Sequence, residues 1–195
     1  MPDLPTVLPT TLERLYRAGT QRWQAHRTRW GEAFHAFVPA DYPGAYEALR
    51  TARPGADSFL ELGSGVGAIT VIAALLGYDS AGIEIDTYLV DSATELASEF
   101  GVTPSFACGT FIPTGFQEVA DRYDTEIPSV FDGESAYDEL GRALDDFDIV
   151  YAFHWPGLED LFLELMAAHG RPGALLLTYG GTEGFRTWRD GSLAS

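Results

Sequence analysis

From residue 58 to about residue 180, short apolar runs alternate with longer stretches whose apolar positions fall on one helical face. Phe59-Leu60-Glu61-Leu62, Ala81-Gly82-Ile83-Glu84-Ile85, Thr103 to Cys108, Phe147 to Phe153 and Ala174 to Tyr179 have the length and content of buried strands. Between them, Val66 to Leu76 is almost wholly apolar and long enough for a buried helix. Leu89, Val90, Ala93, Leu96, Ala97 and Phe100 share one face of a helix over Tyr88 to Phe100, and Leu158 to His169 reads as another. This β-α-β-α-β alternation predicts parallel strands joined by crossover helices, hence an α/β three-layer sandwich around a mostly parallel, doubly wound sheet.

The flanking stretches read differently. Thr10-x-x-Glu13 is a capping-box pattern and predicts a helix starting at Thr10. Tyr16, Trp23, Trp30 and Phe37 recur every seven residues and keep four aromatics near one face, as a packing stripe or as a lid with Arg14, Arg17, Arg22, Arg27 and Arg29 outside. Gly19 and Gly31 are expected to weaken or split this helix, Pro39 and Pro43 to end the region, and Tyr46 to Arg50 to form one more short helix. Residues 1–57 are thus expected to be an N-terminal helical extension, and residues 58–195 one compact ligand-binding unit. Phe111 to Asp146 is the least regular stretch, with helices over Gln117 to Tyr123 and Ala136 to Leu144 separated by Pro128 and Gly133. Sixteen residues follow Tyr179, enough for one short strand over Phe185 to Trp188.

A chain of 195 residues suits one domain with a full core. No apolar run reaches the roughly 18 residues of a membrane span, and the N-terminus has no basic-then-apolar signal pattern. Cys108 is the single cysteine, which excludes an internal disulfide and suits a reducing, cytoplasmic setting. Net charge is −17, and all 12 basic residues are Arg. Residues 1–53 hold seven Arg against five acids, a balance of +2, whereas residues 54–195 hold five Arg against 24 acids, a balance of −19. Such a surface repels phosphate backbones, so nucleic acid is not an expected partner.

Gly63, Gly65 and Gly67 occupy alternate positions between the first strand and the apolar helix. Glycine permits a tight turn and lets a ligand touch the backbone, and the helix that follows aims its free N–H groups at that turn. Glu84 ends the next strand, where a carboxylate can accept both hydroxyls of a ribose. Together these predict a nucleoside site at the carboxyl ends of parallel strands. Gly63-x-Gly65-x-x-Ala68 also satisfies the dinucleotide fingerprint. Glu61, two residues before the first glycine, favours a different ligand. Its charge is unhelpful beside a pyrophosphate and attractive beside a sulfonium and an ammonium group.

Glu61-Leu62-Gly63-Ser64-Gly65-Val66-Gly67, followed by Gly82-Ile83-Glu84-Ile85-Asp86 and by Phe147-Asp148-Ile149-Val150-Tyr151, resembles the class I S-adenosylmethionine-dependent methyltransferases over roughly residues 58–180. The resemblance implies a Rossmann-like fold and S-adenosylmethionine as cofactor. It implies that Glu61 and the turn Gly63, Ser64, Gly65 and Gly67 hold the methionine part, that Glu84 holds the ribose, and that Ile85 lies against adenine. After the third strand the family places an acidic or polar residue by the adenine amino group. Cys108-Gly109-Thr110 stands there instead, which makes Gly109 and Thr110 the candidates. The family sheet has seven strands ending in a hairpin. The short C-terminus predicts a reduced sheet of five strands in order 3-2-1-4-5 plus a sixth short one, without the hairpin.

Tyr151-Ala152-Phe153-His154-Trp155-Pro156-Gly157 ends the fourth strand beside the expected cofactor mouth. Methyl transfer is an in-line displacement that needs positioning first and a base only where the nucleophile is protonated. His154 is the candidate base and Tyr151 and Trp155 candidate walls, each competing with a plain capping or core role. His26, His35 and His169 lack ligand spacing, so no metal is expected, and Cys108 reads as a small core residue. The expected acceptor is a small molecule or a protein side chain. Asn-Pro-Pro-Tyr, the family's mark of base and glutamine amide methylation, is replaced by Phe153-His154-Trp155-Pro156. An exposed edge at the fifth strand would invite the chain's tail or a second subunit, hence a homodimer. Two other readings stand beside this one: a non-catalytic cofactor-binding or assembly module, and a nicotinamide-dependent oxidoreductase, which the absence of Lys deprives of a Tyr-Lys pair.

Overall fold

The computed structural model describes residues 7–30, 40–123, 133–155 and 157–194. Two helices, α1 (Pro9–Trp30) and α2 (Tyr42–Ala52), precede the alternating part. That part runs β1 (Ser58–Leu62), α3 (Ala68–Leu75), β2 (Asp79–Glu84), α4 (Thr87–Glu99), β3 (Ser105–Cys108), α5 (Gln117–Ala120), α6 (Tyr137–Leu140), β4 (Ile149–Phe153), α7 (Glu159–His169), β5 (Leu175–Tyr179), β6 (Phe185–Arg189) and β7 (Ser192–Leu193). The seven strands form one sheet in the order β3-β2-β1-β4-β5-β6-β7. The first five are parallel, and β6 and β7 each run antiparallel to their preceding neighbour.

The α/β architecture and the order of the first five strands agree with the pattern of apolar runs. The sheet is larger than expected, because the C-terminal hairpin is present. Asp190 and Gly191 both take positive φ, 48° and 75°, as a two-residue hairpin turn of the Asp-Gly kind requires, and β7 folds back on β6. The Asp190 carboxylate also accepts a hydrogen bond from the Gly173 amide at 2.8 Å.

The N-terminal helices also depart from expectation. Pro9 opens α1, so Thr10 lies inside the first turn rather than capping it. Proline suits a position whose N–H would find no helical partner, and the Leu8 carbonyl accepts from Thr11 and Leu12 instead. The helix runs unbroken through Gly19, where a Cβ would lie 3.1 Å from the Ala68 Cβ and the Tyr42 hydroxyl. Gly19 is therefore a point of close approach between α1 and the start of α3, not a break. Pro43 stands in the first turn of α2, behind Asp41, whose carboxylate accepts from the Gly44 amide at 3.0 Å. It begins a helix that sequence pattern placed four residues later. Gly31, Phe37, Pro39 and Pro128 lie outside the described residues. The helix expected over residues 117–123 divides into α5 and a 3-10 turn at Asp121–Tyr123, and the one over 136–144 shortens to α6.

Each sheet face has its own core. Phe59, Ile149, Tyr151 and Leu177 pack against α1 to α4 through Leu15, Leu49, Ile72 and Leu96. Leu60, Ile83, Val150 and Leu176 pack on the other face against α7 through Leu161 and Leu165. The N-terminal helices thus belong to the same core as the strands. At the far end of the sheet, Asp148 ties β1 to β4: its carboxylate accepts from the Asp57 and Ser58 amides at 2.9 and 3.0 Å and from the Ser58 hydroxyl at 2.9 Å. Burial pushes the Asp148 pKa up, but those bonds and Arg171 hold it below its ordinary value. The chain diverges in both directions from between β1 and β4, which opens a crevice at their carboxyl ends where Glu61 stands opposite Tyr151. Among the described residues no helix is long and apolar enough to cross a membrane, and no cluster of His, Cys, Asp and Glu could hold a metal ion.

Candidate functional site

The residues of the glycine turn have divided tasks. The Gly63 and Ser64 amides both donate to the Ile83 carbonyl, at 2.9 and 2.8 Å, which pins the turn to the end of β2. Gly67 takes φ 73° as the N-cap of α3, and a Cβ there would lie 2.6 Å from the Ala93 Cβ and 2.8 Å from Phe106 Cζ. Gly67 is thus needed for packing, whereas Gly63, Ser64 and Gly65 line the cavity, with open space beyond Gly63. The buried Ser64 hydroxyl lies near Gly82 and has no hydrogen-bond partner among the described residues. Substituting Ala for Gly67 is expected to cost about 2–4 kcal/mol from overpacking and positive φ, read as a lowered urea midpoint. An unchanged midpoint contradicts this packing role.

Glu61 is buried beneath the turn. One carboxylate oxygen accepts from the Thr70 amide at 2.9 Å and the Thr70 hydroxyl at 2.6 Å. Burial pushes its pKa up to about 8; the Thr70 bonds oppose that rise and the charge of Glu84 adds to it. Glu61, Gly63, Ser64, Gly65 and Tyr151 line a single cavity with Tyr42 and Phe153. Burial, then Glu61, raises the Tyr42 hydroxyl to about 12. The sequence reading overlooked Thr70 and Tyr42. Thr70 carried a signal, since a hydroxyl in the apolar helix Ala68–Leu75 must find a buried partner; Tyr42 carried none.

Glu84 lies beside this cavity and closes the turn from the other side. One of its oxygens accepts from the Gly65 amide at 2.8 Å, and the other from the Ile85 and Asp86 amides at 2.8 and 3.0 Å. Burial raises its pKa against the pull of those bonds. Ile85 is exposed, and the Gly109 amide donates to the Glu84 carbonyl at 3.0 Å, so both stand at the rim of the site. Thr110 is buried and turned inward: its hydroxyl accepts from the Ile112 amide at 3.2 Å and its own amide donates to the Glu134 carbonyl.

Tyr151 and His154 part ways. Tyr151 is 2% exposed in the cavity wall, and its hydroxyl has no hydrogen-bond partner among the described residues. Burial raises its pKa far above the ordinary phenol value. His154, expected as a base, is 5% exposed and packs under Gly180. Its Nδ1 lies 3.1 Å from the Trp155 carbonyl and its Nε2 3.6 Å from the Glu159 carboxylate. Glu159 in turn accepts from Thr178 at 2.9 Å and from Arg186 at 2.7 Å. The histidine therefore sits beside a network that holds β5, β6 and α7 together, with its Nδ1 bound to the Trp155 carbonyl and its Nε2 facing Glu159. Trp155 is half-buried and meets Phe153 edge-on at 5.9 Å.

From above, α1 reaches over the turn. Trp23 lines the cavity, and His26 stacks on Tyr88 at 5.7 Å, its Nε2 3.8 Å from the Asp86 carboxylate that caps α4. Arg22 pairs with Glu99 of α4, and Arg14 lies 5.3 Å over the Phe100 ring.

No family model matches the sequence, and no curated protein matches it. Solved structures do. An RNA methyltransferase from Salinibacter ruber in complex with S-adenosyl-L-homocysteine aligns at a TM-score of 0.50 and 20% identity, covering 72% of this chain and 76% of that one. An O-methyltransferase from Bacillus cereus in complex with the same nucleoside gives 0.53 at 14% identity, covering 88% and 66%. A putative O-methyltransferase from Klebsiella pneumoniae gives 0.50 at 19% identity, covering 89% and 66%. The chain spans about two thirds of the length of these two O-methyltransferases. At such identities the likeness lies in the fold, and this chain has the Rossmann-like fold of S-adenosylmethionine-dependent methyltransferases.

Proposed function

We propose that this chain is an S-adenosylmethionine-dependent methyltransferase acting on a small-molecule or protein nucleophile. The observation that carries the reading is Glu61, a buried carboxyl group in the wall of a cavity bordered by a glycine turn and matched by no basic side chain among the described residues. The orphaned Tyr151 hydroxyl and the open space beside Gly63 fit a polar ligand in the same place. The cofactor, when bound, supplies an electrophilic methyl group on a sulfonium sulfur.

The chain's own residues do the rest. Glu61 is largely protonated at neutral pH when alone and ionises beside a cation, so it favours a ligand with positive charge. Glu84 uses one set of lone pairs on the turn amides and keeps others for ribose hydroxyls. Ile85 offers an exposed apolar surface to a base, with Gly109 at the adjoining strand end. Trp23 and α1 form the lid, and Tyr42, Tyr151 and Phe153 exclude water from the acceptor side. With His154 engaged elsewhere, the work falls to positioning and desolvation rather than to a strong base. S-Adenosylhomocysteine is expected to raise the melting temperature by several degrees at 100 times its dissociation constant, where linkage supplies about 2.7 kcal/mol, while NAD leaves it unchanged. Stabilisation by NAD alone would favour the oxidoreductase and end this reading.

A further inference from the structure

We propose that the methyl acceptor is a small, flat aromatic molecule without negative charge, held against a wall of four rings on β4, β5 and β6. This rests on the methyltransferase reading and adds the substrate class. Strand register puts Tyr151, Phe153, Tyr179 and Phe185 on the sheet face that carries Glu61: Glu61 stands opposite Tyr151, Phe153 opposite Tyr179, and Tyr179 opposite Phe185. Their ring centroids form a continuous row, 6.3 Å from Tyr151 to Phe185, 4.6 Å on to Tyr179 and 5.6 Å on to Phe153. These are the spacings at which aromatic faces and edges attract, and a flat ligand extends such a row at little conformational cost.

Two observations separate this wall from ordinary core packing. Phe153, Tyr179 and Phe185 are only half-buried, and Phe153 lines the same cavity as Tyr151. The Tyr151 hydroxyl is buried there without a partner, and buried hydroxyls are rarely left unsatisfied unless a ligand or water completes them. The sign of the ligand's charge follows from the surroundings. Among the described residues the cavity wall includes Glu61 and no Arg, and the chain contains no Lys. Arg186, on the strand that bears Phe185, is taken up by Glu159 and Glu183. A carboxylate or phosphate on the acceptor would meet ring faces of negative potential and a glutamate, with no counter-cation.

Three probes test this on the full chain by calorimetry, with and without S-adenosylhomocysteine: quinoline, its anionic 2-carboxylate, and decahydro-2-naphthol, a saturated fused bicycle that is uncharged like quinoline but is not flat. Quinoline is expected to bind at least tenfold more tightly than either of the others. Tyr151→Phe is expected to weaken quinoline about five- to tenfold through the lost hydrogen bond. The same variant should melt at or above the wild-type temperature, because it removes an unsatisfied hydroxyl. Phe185→Leu, of similar volume, should weaken quinoline as well. Equal binding of quinoline and decahydro-2-naphthol, or quinoline binding untouched by both substitutions, overturns the proposal. Failure of quinoline while S-adenosylhomocysteine binds overturns the aromatic acceptor alone. Failure of S-adenosylhomocysteine overturns the methyltransferase reading, and the acceptor role falls with it.

Discussion

Glu84→Ala is expected to weaken S-adenosylhomocysteine binding by about one to two orders of magnitude and to loosen the protein itself. The side chain satisfies three backbone amides, those of Gly65, Ile85 and Asp86. Removing it leaves these donors to water or to nothing, at an expected cost of about 2–4 kcal/mol in stability. Loss of the ribose contact and of the turn's geometry costs about 1–3 kcal/mol in binding, roughly 5- to 150-fold. Glu84→Gln separates the two effects. Its oxygen can still accept from Ile85 and Asp86, but its NH2 group then faces the Gly65 amide, donor against donor. This variant should keep most of the stability, measured by urea unfolding, and lose most of the affinity, measured by calorimetry. An alanine variant that binds normally contradicts the role given to Glu84.

Glu61→Gln is expected to change how both stability and binding depend on pH. The folded pKa is raised to about 8, so the buried carboxyl stabilises the fold fully below its unfolded value, and that contribution is lost as pH rises through about 8. At pH 5 the variant and the wild type should be similarly stable, since the amide oxygen still accepts from Thr70. At pH 9 the variant should be the more stable by about 1–3 kcal/mol, the usual cost of burying a charge whose bonds are incomplete. Binding moves the other way. A cation drives Glu61 to ionise and release its proton, so wild-type affinity for S-adenosylmethionine gains up to about tenfold per pH unit below pH 8 relative to the variant. The comparison with Gln cancels the titration of the ligand's own amino group. Parallel pH profiles for the two proteins contradict the placement of Glu61 beside the cation.

The parts of this fold that are legible in the sequence are those set by local period and by glycine. Five apolar runs, the helix between the first two and the carboxylates at residues 61 and 84 suffice to set out the parallel sheet and its crevice, because each strand must be buried on both faces. The misreadings come from contacts distant in sequence. Gly19 looks like a helix breaker until the Ala68 and Tyr42 side chains are seen against it. His154 is drawn under Gly180, beyond the fifth strand, a contact that its own neighbours in the chain do not announce. Gly67 belongs to the motif, yet it serves packing against Ala93 and Phe106. The hairpin was within reach of sequence reasoning, since Asp190-Gly191 is a turn signal, but a tail so short made it easy to discount.

A crystal structure of the full chain grown with S-adenosylhomocysteine tests the placement of the nucleoside most directly. The expected density lies along residues 63–65, with its ribose hydroxyls on the Glu84 carboxylate and its amino group toward Glu61. A nucleoside bound elsewhere, or crystals at saturating ligand in which Glu84 still closes an empty turn, would contradict it.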